Sequence, residues 1–195
     1  VSILKRRKAF TLVELLIVII IIGILAGGLL LAAGKAQNKA QAIELVSNMK
    51  TLKTATLQYY ADNLKWFEQG NDGWGVLSVR ELESYLDREM EDPFPFASKT
   101  DWSTASENPF FIYVSGPAKG KKQFETEQVH VYIAANVTND YYSYDVRKKL
   151  EDMSPETGIY DGNYSEGLEE PDKHHFEATE NPSSTNDKFI LMRVK

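Results

Sequence analysis

The sequence predicts an α+β fold. One long N-terminal α-helix spans a membrane with its first half, and a small antiparallel β-sheet head packs on its second half. Three observations carry this. A charge-free apolar run of 20 residues extends from Leu15 to Gly34. Residues 35–62 hold neither proline nor glycine, and their apolar residues recur at helical spacing. Beyond residue 64, short apolar stretches alternate with turn residues rather than with long helices, as in an antiparallel sheet.

Composition narrows the function classes. The chain of 195 residues carries a net charge of −6, which argues against nucleic-acid binding over its whole surface. It has no cysteine, so disulfides, thiolate zinc sites and cysteine catalysis are excluded. Three histidines are too few for a multi-histidine metal centre. Charge is unevenly distributed. Residues 1–9 form a basic leader with four cations in one run, Lys5 to Lys8, whereas residues 10–34 contain a single charge, Glu14.

At about 1.5 Å per residue the apolar run covers about 30 Å, the thickness of a bilayer core. The basic residues before it place the N-terminus in the cytoplasm and the head outside. A cleaved secretory signal fits less well, because the stretch is long and no A-x-A-like site follows it. Glu14 stands apart in this setting. A carboxylate at the start of a clean span is costly and marks a function.

The stretch Lys8-Ala9-Phe10-Thr11-Leu12-Val13-Glu14-Leu15-Leu16 resembles the N-terminal motif of type IV pilins and of the related pseudopilins of type II secretion and DNA uptake. The resemblance extends over residues 5–63. It implies cleavage by a prepilin peptidase between Ala9 and Phe10 and N-methylation of Phe10. The family usually has glycine before the cut; here Ala9 stands there. Cleavage leaves an amine on Phe10, and the Glu14 of one subunit then pairs with the amine of its neighbour. Pairing offsets much of the burial cost and fixes the register between subunits. Snorkelling of Glu14 to the headgroups is the alternative.

Gly23, Gly27, Gly28 and Gly34 fall inside the span. They serve close helix packing, or they let this stretch melt in a filament. In the family a melted stretch lies near a proline that this chain lacks. Melting would therefore rest on Gly23, Gly27 and Gly28, each weakening helix by about 1 kcal/mol relative to alanine. In residues 35–63 the helix turns amphipathic. Leu45, Met49, Leu52, Thr56 and Tyr59, with Ile43 and Val46 beside them, form one stripe for the head.

The head is residues 64–195. Residues 70–75 read as a loop. Ser78 and Glu81 form a capping box for a short helix carrying Val79, Leu82, Leu86 and Met90. Residues 109–115 read as a strand. Residues 128–137 read as another, with Val129, Val131, Ile133, Ala135 and Val137 on one face and His130, Tyr132 and Asn136 on the other. Residues 141–146 and 189–194 complete three or four strands. The pieces Asp92-Pro93-Phe94 and Asn108-Pro109-Phe110 resemble a segment of the major type II secretion pseudopilin.

Residues 151–187 contain 11 acids against one lysine, Lys173, and read as an acidic loop. Asp161, Asn163, Ser165, Glu169 and Asp172 stand at offsets that suit a Ca²⁺ site, although the EF-hand glycine position holds Glu166. Calcium is the sole candidate cofactor, against a plain solvated loop. The neighbours His174 and His175 diverge and read as loop residues. Lys119, Lys121 and Lys122 read as a charged hairpin tip, with DNA contact in an uptake filament as the minor alternative.

No nucleophile–base–acid set is present, so no enzyme is expected. The reading is a homo-oligomeric filament subunit of the cytoplasmic membrane. Its implied partners are a prepilin peptidase, an inner-membrane platform and an assembly ATPase. A surface pilin for adhesion or motility, a pseudopilin driving protein export and a single-pass anchored binding domain remain the alternatives.

Overall fold

The computed structural model describes residues 10–67, 74–77, 79–86, 110–115, 129–162, 175–180, 182 and 188–194. Helix α1 runs without a break from Leu12 to Asn63. Residues up to Lys39 and residues from Ala40 onward form two separate compact units. The second unit is the head together with the latter part of α1.

Among the described residues, five antiparallel strands make one sheet in the order β1-β2-β3-β5-β4. They are β1 (Trp74–Leu77), β2 (Phe110–Ser115), β3 (His130–Asn136), β4 (Ile159–Asp161) and β5 (Phe189–Arg193). Helix α2 (Tyr144–Thr157) lies between β3 and β4 in the chain. Register places Ile112 opposite Ile133, Ile133 opposite Met192 and Met192 opposite Ile159. This apolar row joins a core that also contains Ala42, Leu45, Val46, Met49, Leu52 and Ala55 of α1. The stripe is therefore where the spacing puts it, with Thr56 buried and Tyr59 half-buried. Ile43 is the exception, at 47% exposed. Buried Thr56 bonds its hydroxyl to the Leu52 carbonyl at 2.8 Å, which satisfies its polar atom.

Leu64 ends α1 in the left-handed region, with φ 52. Its N–H donates to the Tyr60 carbonyl at 2.8 Å. The reversal brings Phe67 to stack on Tyr59 at 4.2 Å and Trp66 on Tyr60 at 4.1 Å. Stacked aromatic pairs of this kind offset the roughly 1 kcal/mol that a non-glycine residue costs there.

Several expectations need correction. Residues 141–146 are not a strand. Asn136 accepts the Thr138 N–H at 3.0 Å and starts a turn, and α2 begins at Tyr144. The aromatic and β-branched residues suggested a strand, but Val146, Leu150 and Ser154 recur every four residues and all are buried. The acidic stretch 151–187 is not loop at its start. Residues 151–157 belong to α2, and Ile159–Asp161 is β4. Ser78 lies outside the described residues. The helix after it is a 3₁₀ helix, Val79–Tyr85, whose three-residue turn aligns the buried Val79 and Leu82. Trp74–Leu77 adds a strand at the end of an expected loop. The β3 face expected to hold polar residues is buried as well. Tyr132 and Ala134 cluster with Phe111, Tyr113, Phe189 and Leu191.

Candidate functional site

Two places in the described chain bear on function: the start of α1 and the docked segment 175–180. Phe10 precedes the helix and is 79% exposed. Thr11 is the N-cap and Glu14 the third helical residue. The Thr11 N–H and hydroxyl donate to Glu14 Oε2 at 3.0 and 2.8 Å, and the Glu14 N–H donates to the Thr11 hydroxyl at 3.2 Å. This is a reciprocal capping box that satisfies helix-start donors which lipid cannot. Sequence reading assigned Glu14 to a neighbour and overlooked this local use. The T-x-x-E spacing was the available signal.

Behind the cap the helix is apolar on every side. From Leu15 to Ile22 each residue is 48% to 60% exposed, so no face of it is covered. The stretch is long and apolar enough to cross a membrane. Helix continues through Gly23, Gly27, Gly28 and Gly34, and an added Cβ at any of them meets nothing within 4 Å. Ala9 lies outside the described residues.

Of the five calcium candidates only Asp161 is described. It is half-buried in β4. Asn163, Ser165, Glu169 and Asp172 lie outside the described residues, as do His174, Lys119, Lys121 and Lys122. Among the described residues, no group of three or more acids and histidines could hold a metal ion. His175 is exposed and bridges Tyr160 through the backbone.

Segment 175–180 is held by α2. Phe176 is buried in the main core. Glu151 Oε2 accepts the Ala178 N–H at 2.9 Å, and its Oε1 meets Lys148 Nζ at 2.6 Å. Arg147 is fully buried. One terminal nitrogen donates to the Val137 and Tyr142 carbonyls at 3.3 and 2.6 Å. The other donates to Thr179 and Glu180 carbonyls at 2.9 and 3.1 Å. Burial lowers its pKa from the ordinary arginine value. Four backbone carbonyls thus stand where a carboxylate would usually pair a buried charge. This clamp was not legible beforehand, because an Arg in a charged helical run reads as surface.

Gly162 follows β4 closely packed. Its N–H donates to the Phe189 carbonyl at 3.0 Å, and a Cβ there would lie 2.7 Å from that oxygen. Only glycine fits this close approach.

Comparison with known proteins agrees with the helix start. Residues 4–30 match the prokaryotic N-terminal methylation motif, and residues 36–106 match the C-terminal family of PilW. A type IV major pilin protein PilE1 of Neisseria gonorrhoeae is 42% identical over 72 residues, covering 37% of this chain and 43% of that one. A fimbrial protein of Neisseria meningitidis serogroup A is 33% identical over 116 residues, covering 60% and 63%. The chain spans about two fifths of the length of the gonococcal relatives it matches. The solved structure of the major type IV pilin PilA1 from Clostridium difficile is similar with a TM-score of 0.40 at 22% identity, covering 82% of this chain and 98% of that one. With its methylation motif on a long apolar helix start, the chain is similar to type IV pilins.

Proposed function

We propose that the chain is a structural, non-enzymatic subunit of a type IV pilus-like filament. It is stored in the cytoplasmic membrane through the first half of α1, cut between Ala9 and Phe10, and methylated on Phe10. It then polymerises through the helix with the aid of an assembly platform and ATPase. The observation that supports this best is α1 itself. Its first half exposes apolar side chains all round, while its second half is seated in the head core. A helix apolar on every side needs lipid or other copies around it.

Glu14 serves twice in this reading. In the stored subunit it caps its own helix through Oε2. In the filament the neighbour's Phe10 amine approaches the same carboxylate, and the pair sets the axial register. The similar proteins are pilus proteins, which supports a surface fibre over a short secretion filament. The absence of cysteine favours the pseudopilin as the second reading, since a disulfide is usual in the heads of one pilin class.

Mass measurement of the N-terminal peptide from sheared surface material and from membranes tests the proposal. Methylated Phe10 in abundant sheared fibres is the expected result. The same terminus confined to membranes favours the pseudopilin. An intact leader in both fractions overturns the filament reading.

A further inference from the structure

The sheet has two buried faces, and the described elements account for one of them. Strand alternation turns Ile112, Ile133 and Met192 into the core shared with α1. It turns Phe111, Tyr113, Tyr132, Ala134, Phe189 and Leu191 to the opposite side. Helices α1 and α2, the 3₁₀ helix and Phe176 all contribute to the first core. Among the described residues, the second cluster contains strand residues alone, yet each member is 4% exposed or less. Phe111 lies edge-on to Phe189 at 5.3 Å, and Tyr113 lies beside Tyr132 at 6.0 Å. Such contacts within one face close the gaps between neighbouring rings and leave their outer sides open. Phe111, Tyr113, Tyr132 and Phe189 each engage a further partner beyond these contacts. Burial of this depth therefore requires another layer on the second face.

We infer that this layer is the chain's own segment 87–109, laid across the second face through Phe94, Phe96 and Trp102. Composition selects it. The segment holds Met90, Phe94, Phe96 and Trp102 as large apolar residues. By contrast, residues 116–128 hold only Phe124 beside three lysines, and residues 163–174 hold only Tyr164 and Leu168 among four acids. Residues 68–73 and 183–187 hold none. Reach is sufficient. Extended, 23 residues span up to about 75 Å, whereas five strands side by side are about 20 Å across. The segment also ends at Phe110, where β2 begins, and β2 supplies Phe111 and Tyr113 to the face. Pro93 and Pro95 favour extended backbone at the residues before them, Asp92 and Phe94. In extended chain Phe94 and Phe96 share a side. The inference does not depend on the filament reading. It makes this segment, rather than the sheet, the surface that a partner meets on that side of the head.

The natural chain has no cysteine, so engineered pairs report without background. Ala134 and Ala135 are adjacent on β3, both fully buried, and lie in opposite cores. Full-length chains carrying Ala134→Cys with Phe94→Cys, Phe96→Cys or Trp102→Cys are oxidised in detergent and mapped by peptide mass. A disulfide within one chain is expected from at least one of these pairs, and from none when Ala135→Cys replaces Ala134→Cys. A bond between two chains assigns the face to a second copy and overturns the inference. So does a bond from Ala134→Cys to Phe124→Cys or Leu168→Cys in its place, or no bond in variants that fold. Hydroxyl-radical footprinting of the natural chain needs no substitution in the core. Phe94, Phe96 and Trp102 are expected to be oxidised about tenfold more slowly in the folded chain than in urea. Equal rates in both, with Tyr113 and Tyr132 still protected in the folded chain, overturn the inference.

Discussion

The two halves of α1 share one helical backbone and meet different surroundings. From Leu15 to Ile22 every side chain is about half exposed. From Ala42 to Ala55 the apolar residues other than Ile43 fall on one stripe, and Leu45, Met49 and Leu52 have 1% exposure or less. The backbone hydrogen bonds are of one kind in both halves, so they do not distinguish them. Side-chain pattern does. An apolar residue on the stripe of the second half is already buried by the folded chain. One in the first half gains its burial from lipid or from other copies.

The same truncation should therefore have opposite consequences in the two halves. Leu52→Ala removes a fully buried side chain and is expected to cost about 3 kcal/mol of head stability. Ile20→Ala is expected to leave head stability within about 0.5 kcal/mol, because nothing folded covers Ile20. Urea unfolding of the detergent-solubilised chain, followed by fluorescence of buried Trp66, measures both. An equal loss in the two variants would erase the distinction between the halves.

The head has a second anchor that the first half of α1 lacks. Arg147→Met keeps the aliphatic bulk but leaves four carbonyls without their donor. Each unsatisfied buried group costs about 1–3 kcal/mol, reduced where water can enter. A net loss of about 2–3 kcal/mol is expected, with segment 175–180 becoming protease-sensitive before the sheet unfolds. Arg147→Lys should restore little, since one ammonium cannot span carbonyls on both sides of a planar fork. Full stability in either variant would show that packing of Phe176 and the Ala178–Glu151 bond hold the segment without Arg147.

Legibility followed the same division. The long helix, its stripe and the strand at 130–136 could be read from periods of 3.6 and 2, and the strands at 110–115 and 189–193 from short apolar runs. Residues 144–157 could not. Tyr144, Val146 and the preceding tyrosines have strand propensity, and the four-residue recurrence of Val146, Leu150 and Ser154 is broken by a buried charge at Arg147. Strand β4 has only three residues and no period to detect. The second buried face of β3 was missed because Tyr132 is amphipathic and fits either side. At the site, the FTLVE motif identified Glu14, but its Thr11 partner was passed over when the carboxylate was assigned to another subunit.

Thr11→Ala probes the first half where it does have a local anchor. The substitution removes the hydroxyl that bonds Glu14 in both directions while keeping the Thr11 N–H. A cap loss of about 1 kcal/mol is expected, confined to the first turn. Amide exchange in detergent should speed up over residues 12–15 and stay unchanged in the head. Faster exchange reaching Leu52 would mean that the two halves unfold as one unit.

The smallest expected effect concerns acid. Lys148, and then the Ala178 N–H, hold the Glu151 carboxyl below its ordinary value of 4.5. A folded-state pKa lowered in this way stabilises the fold above the unfolded value, and the contribution is lost as pH falls through the folded one. Segment 175–180 should thus stay docked at neutral pH and loosen only in acid, below pH 4.5. The protection factor of the Ala178 amide, followed with falling pH, measures this. Glu151→Gln keeps an acceptor for that amide but cannot titrate, so its protection should be lower at neutral pH and flatter in acid. If the natural chain and Glu151→Gln lose protection in parallel, the acid response lies elsewhere. The docking of this segment would then rest on Arg147 and Phe176, whose contacts do not titrate in that range.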